Sequence, residues 1–342
     1  MKEQRNKTDK KGSALLVVLF VVMVVTVLSL GFLSQSDVEL ACGENMLLRV
    51  QMDYLAESGL EHAKGLILNP QDVDFEYWTG AECLQIITGS DDYYDVNVIK
   101  LGECNYQITS SAYRERSGEK VGLSTLKAEL RLDPCVAFWV GGDAIISNSV
   151  TINGDVYCGG NLTNNGIING DIFSVGLVGS GGTGQEYDVS EAVGISSPGL
   201  NTDDFTASYE PDPNDPNGNV ELIDPNLVVG ETFVIKGNLI VSGGSIKMTA
   251  QKNSPAMLVD GAVTVKNAAR LEVNGLAQTA GQWTVDSGAE VVISGALFIT
   301  GGGIGGSGNI VITTEPIKAS LGGDIGNFSP AAGAFFRSIE RN

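Results

Sequence analysis

The stretch from Lys10 to Leu33, KKGSALLVVLFVVMVVTVLSLGFL, decides how the rest of the chain is arranged. Its last twenty residues, 14–33, carry no charged side chain. A helix of that length rises about 30 Å, which matches the hydrocarbon core of a bilayer. The tail before it is basic, with Lys2, Arg5, Lys7, Lys10 and Lys11 against Glu3 and Asp9. The positive-inside rule therefore predicts that this tail stays cytoplasmic and that the bulk of the chain is exported.

The helical pattern continues beyond the apolar run. The first proline is Pro70, and apolar residues recur at three- and four-residue spacings before it, namely at Val38, Cys42, Met46, Met52, Leu55, Gly59, Ala63 and Leu66. We expect one helix over residues 13–69, half in a membrane and half outside. A cleaved signal peptide is the alternative, but its apolar core would be shorter and a small-residue cleavage site would follow it. We therefore expect the segment to be retained.

Two motifs on this helix carry a family resemblance. The run from Lys10 to Val18, KKGSALLVV, resembles the class III signal of type IV pilins and pseudopilins. The resemblance implies that a prepilin peptidase cuts between Gly12 and Ser13 and that Ser13 becomes an N-methylated terminus. Further on, YLAESGLEHA is similar to the signature that ends the helical region of PilX-type minor pilins, with the motif residues Ala56, Glu57, Gly59 and Leu60.

One position departs from the family pattern. Major pilins carry a glutamate five residues into the mature chain, and that place holds Val17 here. In lacking this glutamate, the chain is similar to K-type minor pseudopilins and many PilX-like proteins, which start or cap a fibre. The resemblance thus implies a minor subunit of a type IV pilus or type II secretion pseudopilus, single-pass in a bacterial inner membrane or incorporated in a pilus. Its implied partners are other pilins or pseudopilins, the prepilin peptidase and the inner-membrane assembly platform.

The middle of the chain, residues 70–134, predicts a small antiparallel sheet. Three runs of β type, 93–101, 105–113 and 120–132, are joined by short connections. A long helix backed by such a sheet is a pilin-like α+β arrangement. We expect residues 1–12 to form the cytoplasmic leader and 13–69 the long helix.

The residue pattern of the chain changes after Asp133. Residues 135–330 contain short β-branched runs broken by glycine and asparagine, which is typical of a parallel β-solenoid whose turns bury their apolar faces only by stacking. An irregular β-sandwich is the alternative. We expect a loop insertion at 179–229 and a C-terminal tail at 331–342.

The net charge and the cysteines of the chain limit what it could bind and which disulfides it could form. A net charge of −20 excludes nucleic-acid binding through phosphate contacts. None of the five cysteines forms a C-x-x-C pair, so we expect no zinc site. We identify no metal-ligating residue and expect no cofactor, and the sequence leaves calcium binding open. In an exported domain we expect a disulfide between Cys83 and Cys104, and Cys135 with Cys158 is a second candidate pair.

No catalytic constellation is evident. No histidine follows His62, which excludes a Ser-His-Asp or Cys-His site in the exported part. The run 301–306, GGGIGG, lacks the lysine of a phosphate-binding loop. We therefore expect no enzyme. Two alternatives remain open: a passive envelope anchor, or a membrane-anchored β-helix enzyme acting on polysaccharide through paired carboxylates. The candidate acids for the latter are Asp143, Asp155, Asp171, Asp260, Glu272, Asp286 and Glu290. The surface ligand of a non-enzymatic β-domain would be an adhesion target or a polysaccharide.

Overall fold

A computed structural model of the protein describes residues 10–68, 77–102, 104–192, 195–251, 253–321 and 334–341. Its first element is helix α1, Lys10–Leu68, which is unbroken over 59 residues. The predicted single long helix is thus confirmed. No proline interrupts it, and nothing lies within 4 Å of a Cβ placed on Gly31 or Gly43. The expected stop at Pro70 and the leader residues 1–9 lie outside the described residues.

An antiparallel sheet packs against the C-terminal half of α1, as predicted. Its first four strands form a meander in which each strand pairs with the next. They are β1 (Gly80–Leu84), β2 (Asp92–Gly102), β3 (Asn105–Arg116) and β4 (Glu119–Leu132). Every second residue of β4 from Leu126 to Leu132 is buried, because alternate side chains of a strand point to the same face. That face forms one core with the helix.

The rest of the chain forms a parallel β-solenoid of about nine turns, which confirms the prediction. The solenoid strands in chain order are β5 (Val136–Val140), β6 (Ala144–Ile146), β7 (Val150–Asn153), β8 (Asp155–Asn164), β9 (Ile167–Asn169), β10 (Ile172–Gly179), β11 (Glu186–Asp188), β12 (Asn219–Ile223), β13 (Asn226–Val229), β14 (Phe233–Ile235), β15 (Asn238–Ser242), β16 (Ser245–Thr249), β17 (Met257–Val259), β18 (Val263–Lys266), β19 (Arg270–Thr279), β20 (Trp283–Val285), β21 (Glu290–Ile299), β22 (Ile304–Gly306) and β23 (Asn309–Thr314). A one-turn helix, α2 (Pro316–Ala319), follows.

The solenoid has three faces, each a ladder of parallel strands. Face A contains β14, β17, β5 and β11; face B contains β12, β15, β18, β20, β22 and β6; face C contains β13, β16, β23, β7 and β9. The long strands β8, β10, β19 and β21 bend from one face to the next. In β19 and β21 the bend falls at Gly275 and Gly295, where φ is 135° and 152°. A Cβ on Gly295 would overlap the carbonyl oxygen of Gly275, so only glycine fits these stacked corners.

The turns do not stack in sequence order. The first segment, β5–β11, runs outward from the middle of the solenoid, and β5 pairs with β21 of the second segment. Residues 195–218 then lead to the opposite end. On the way, the backbone of Leu200 exchanges hydrogen bonds with the side chain of Gln278 in β19, and Tyr209 pairs with Ile235 in the end strand β14. From β12 the chain winds back to the middle, where β23 pairs with β7. Residues 219–229, expected in the loop insertion, therefore form the terminal turn of the solenoid.

The last strand returns to the antiparallel sheet. β24 (Ala334–Arg341) pairs with β4 as the fifth strand, and Ala334 lies directly opposite Leu132. These residues were expected to belong to a separate tail. The solenoid is thus inserted between two neighbouring strands of one sheet, and its two ends leave that sheet side by side.

Candidate assembly helix and sites on the solenoid

The N-terminal half of α1 presents its apolar residues to the outside. Leu16 and Phe32 are each 71% exposed, and every residue from 15 to 33 is exposed. The hydroxyls of Thr26 and Ser29 donate to the carbonyl oxygens of Val22 and Val25 at 2.7 and 2.8 Å. The helix satisfies its own polar groups there, as a lipid environment requires. By length and composition it can cross a membrane.

The processing motif lies at the start of this helix. Gly12 and Ser13 are within the helical backbone of α1, and nothing in the structure tests cleavage between them. Val17, at the position of the family glutamate, is 61% exposed. Only the C-terminal part of the predicted apolar stripe is buried. Val38 and Met46 are exposed, whereas Met52 and Ala63 are buried.

The second motif lies where the helix meets the sheet. Ala56 and Leu60 are buried in the shared core, whereas Glu57 is exposed. Gly59 is the point of closest approach: a Cβ there would overlap the hydroxyl oxygen of Ser110 and lie 2.9 Å from Cδ2 of Tyr94. The spacing of the motif thus has a packing reason, since Ala56, Gly59, Leu60 and Ala63 share one helix face.

Three contacts tie the sheet to the solenoid. Cys104 forms a disulfide with Cys135. The Lys100 ammonium lies 2.8 Å from a Glu315 carboxylate oxygen, and the Arg131 guanidinium lies 3.3 Å from Asp171. Each contact joins a strand of the sheet, or the turn beside it, to a solenoid residue just outside a strand: Cys135 precedes β5, Asp171 precedes β10 and Glu315 follows β23.

The disulfide corrects the expected pairing of Cys83 with Cys104. Cys83 is a free, exposed cysteine whose Sγ lies 3.6 Å from the Tyr113 hydroxyl, and Cys158 is free and buried. Cys135 follows β4 directly, and β4 pairs with β3 next to Cys104, so the sheet itself brings these two cysteines together. The linear spacing of the cysteines did not contain that information.

A cluster of three carboxylates lies beside this disulfide. One oxygen from each of Asp133, Asp155 and Asp171 falls within 4.8 Å of the others. Asp155 accepts hydrogen bonds from the backbone N–H groups of Cys135 and Asp171, at 2.6 and 2.9 Å. Asp171 accepts one from the N–H of Gln185 at 2.7 Å. The carboxylates therefore hold successive turns together at one corner.

Burial raises the pKa of two carboxyl groups in this cluster. It raises the pKa of Asp155 to about 6, against the lowering effect of the backbone N–H groups of Cys135 and Asp171. Burial also raises the pKa of Asp133. A cavity of about 510 Å³ adjoins the cluster and is lined in part by Arg131, Asn153 and Asn169. The group could bind a proton or a cation, but its geometry is explained by its structural hydrogen bonds.

Each of the other candidate acids has its own local interaction or is exposed. Glu272 accepts from Lys247 at 2.7 Å, and this hydrogen bond lowers the pKa of Glu272. Glu290 pairs with Arg270 at 3.0 Å. Asp260 accepts the Thr202 hydroxyl, Asp143 accepts the N–H of Asn161 at 2.7 Å, and Asp286 is exposed. Of the acids proposed from the sequence, Asp155 and Asp171 are linked directly, because the N–H of Asp171 donates to the Asp155 carboxylate.

Two members of this corner, Asp133 and Arg131, were not among the residues proposed from the sequence. A signal was present. Asn-Gly-Asp occurs at 153–155 and again at 169–171, and the N–H of Asp171 donates to the Asp155 carboxylate sixteen residues back. The amide of Asn169 likewise donates to Asn153 at 2.8 Å. A tripeptide repeated at the length of one solenoid turn predicts such a ladder.

A second cavity, of about 490 Å³, opens on face B. Its floor is the glycine-rich turn around β22, and its rim holds Asp143, Asn161, Thr163, Gln282 and Thr284. The rim groups come from turns that are far apart in sequence. Stacking of the first solenoid segment on the second brings them together.

Comparison with known proteins gives little further information. No protein-family model and no curated protein matches the chain. Among solved structures, the chain is similar to the competence-associated pilin ComZ from Thermus thermophilus, with a TM-score of 0.29 at 10% identity, over 86% of this chain and 98% of that chain. A likeness at this score carries no argument about fold or function.

Proposed function

We propose that the chain is a minor pilin or pseudopilin, a non-enzymatic subunit that takes part in assembling a type IV pilus or a type II secretion pseudopilus. The observation that supports this most is the division of α1. Residues 15–33 are apolar all round and exposed, while Met52, Ala56 and Leu60 are buried against the sheet. A helix that is apolar on every side needs a lipid or protein environment, because water-exposed apolar surface of this extent is unfavourable.

The proposed partners follow from the same helix. Residues 15–33 would first lie in the inner membrane and then pack against the helices of other pilins in a fibre. Cleavage after Gly12 by the prepilin peptidase and engagement by the assembly platform would precede that packing. The C-terminal bulk would face the periplasm or the exterior.

Val17 supports a role at the start or the tip of the fibre. An internal subunit would bring a charged N-terminus next to this position of a neighbour, and an unpaired charge in apolar surroundings is costly. The uncharged side chain of Val17 cannot neutralise the charge of that N-terminus. A subunit used once, in initiation or at the tip, does not meet that requirement along the whole fibre. The solenoid would then be displayed for adhesion or interaction.

The test is the N-terminal residue of the mature chain, measured by mass spectrometry on protein from native membranes. We expect N-methylated Ser13 in the wild type and retained Met1 in Gly12→Glu, in which the residue before the cut is replaced. An intact Met1 in the wild type would sink the pilin proposal and leave a plain membrane anchor. A terminus near Ser36 would also contradict it, since an ordinary signal peptide would then have been removed.

A further inference from the structure

We propose that the cavity on face B is a binding groove for an uncharged, hydroxyl-rich glycan. The inference deepens the proposed function, because display on a fibre would present this groove to surfaces outside the cell. Its evidence is the shape of the groove, the chemistry of its rim and a glycine on its floor that the backbone does not require.

The groove exists because one turn of face B lacks outward side chains. Gly305 in β22 lies beside Thr284 in the preceding turn, and its neighbour on the other side is Ser147. Outward positions on this face otherwise hold side chains such as Thr264 and Thr284. The turn with Gly305 is therefore recessed between its neighbours.

Gly305 has no conformational reason to be glycine. Its φ lies outside the left-handed range, unlike Gly302 and Gly306 at 94° and 118°. A Cβ on Gly305 would meet only Cβ and Oγ of Ser147, at 3.7 and 3.9 Å, which are ordinary contacts. Glycine in a strand interior is unfavourable for stability. The missing side chain therefore costs stability and leaves space above the strand.

The rim offers neutral hydrogen-bonding groups. Among the described residues, the side chains of Thr163, Gln282 and Thr284 have no hydrogen-bond partner, so their donors and acceptors are available to a ligand. Asp143 uses its Oδ1 to accept from Asn161, and its Oδ2 faces no other described donor. Amides, hydroxyls and one carboxylate suit the many O–H groups of a sugar.

The charge of the chain and the apolar wall of the groove favour a neutral sugar over an anionic ligand. The lining residues include no lysine or arginine, and the chain has a net charge of −20, so a phosphate, sulfate or uronate would be repelled. Ile145, at 61% exposure, contributes an apolar wall beside the polar rim. A neutral sugar presents both hydroxyl edges and C–H faces, and it matches this combination.

The test is calorimetric titration of the full chain, purified in a detergent without a sugar headgroup. The probes are cellohexaose, xylohexaose, maltohexaose and chitohexaose, with oligogalacturonate as the anionic probe. We expect at least one neutral probe to bind with a Kd at or below about 1 mM. We expect Gly305→Val, which fills the recess, to weaken that binding by about tenfold or more.

Two further variants keep the result interpretable. Asp143→Ala leaves the floor intact and removes a rim acceptor, and it should weaken binding severalfold. Thr264→Val changes an outward residue of the same face outside the groove, and it should leave the Kd unchanged. Circular dichroism and the melting temperature establish that each variant is folded.

Three outcomes would overturn the proposal: no neutral probe binds, only oligogalacturonate binds, or Gly305→Val and Asp143→Ala bind a neutral probe as the wild type does. Binding by the purified chain does not depend on cleavage after Gly12. Failure here therefore leaves the processing experiment untouched, and failure of that experiment leaves the groove untouched.

Discussion

The helix–sheet half and the solenoid bury their apolar residues in opposite ways. The solenoid encloses them within itself, and residues such as Leu271, Ile293 and Ile310 are fully buried between its three faces. The helix–sheet half buries only one stripe of the second half of α1, and residues 15–33 remain outside any core. The solenoid is therefore complete as a folded unit, while the helix needs a membrane or other helices. If the proposed function is correct, this difference assigns assembly to α1 and display to the solenoid.

The largest effect on stability should come from truncating the solenoid core. Ile293→Ala removes a fully buried side chain and should destabilise the solenoid by about 2–5 kcal/mol, because a cavity is left between stacked turns. Ile223→Ala is the matched control, since Ile223 is 72% exposed, and it should cost less than about 0.5 kcal/mol. Urea unfolding in detergent measures both. Equal losses would mean that the interior is not packed as described.

The disulfide should stabilise the connection between the two halves. Replacing both Cys104 and Cys135 by serine frees a loop with a sequence separation of 31 residues and should cost about 2–4 kcal/mol. Cys83→Ser is the control and should have no effect, because Cys83 is free. Peptide mapping of the oxidised chain identifies the bond directly. A Cys83–Cys104 peptide would show that the sheet does not bring Cys104 and Cys135 together.

Stability of the solenoid should depend on pH through Asp155. The folded chain retains the Asp155 proton up to about pH 6, whereas the ordinary pKa is 3.8. Between these values the folded state binds more protons than the unfolded state, so the free energy of unfolding falls as pH rises from about 4 to above 6. Two pKa units correspond to about 3 kcal/mol at most. Asp133, whose pKa is also raised, acts in the same direction.

The check is urea unfolding of the wild type and Asp155→Asn at pH 4.5 and pH 7. The variant should lose less stability than the wild type between these two pH values, since it lacks the titrating group. An identical loss in both proteins would exclude Asp155 as the source.

A smaller effect should appear where the helix touches the sheet. Gly59→Ala should destabilise the helix–sheet half by about 1–3 kcal/mol, because the added Cβ overlaps Ser110. Gly65→Ala is the matched control on the same helix, with nothing within 4 Å of its Cβ, and it should stabilise by about 0.5–1 kcal/mol. Thermal unfolding compares the two. A gain in both would mean that α1 does not pack closely at Gly59.

The sequence predicted the architecture well where patterns are local. Residues 14–33 have an unmistakable composition, and the alternation in Leu126–Leu132 is that of a half-buried strand. Pairings between distant residues were not predictable in the same way. β24 joins β4 across the whole solenoid, and the order of the solenoid turns depends on β5 meeting β21. The periodicity of a single sequence does not show which of its distant strands will pair.

The candidate sites show the same difference between local patterns, which are predictable, and contacts between distant residues, which are not. The Ala56–Gly59–Leu60 motif was recognisable because its spacing is that of one helix face. The groove on face B was not, because its rim combines Asp143 from the first segment with Gln282 from the second. The Cys104–Cys135 bond and the position of Asp133 likewise follow from the path of β4 into the solenoid.

The most direct test of the division between assembly and display is removal of the solenoid. Leu132 and Ala334 are direct partners in the sheet, so residues 133–333 can be replaced by an Asn-Gly turn, with Cys104→Ser to avoid a free thiol. The measurement is the amount of this variant, with Ser13 as its N-terminal residue, in the sheared fibre fraction of the source organism. We expect incorporation close to that of the full chain. Loss of the variant from the fibres, although it is stable in the membrane, would contradict the assignment of assembly to the helix–sheet half alone.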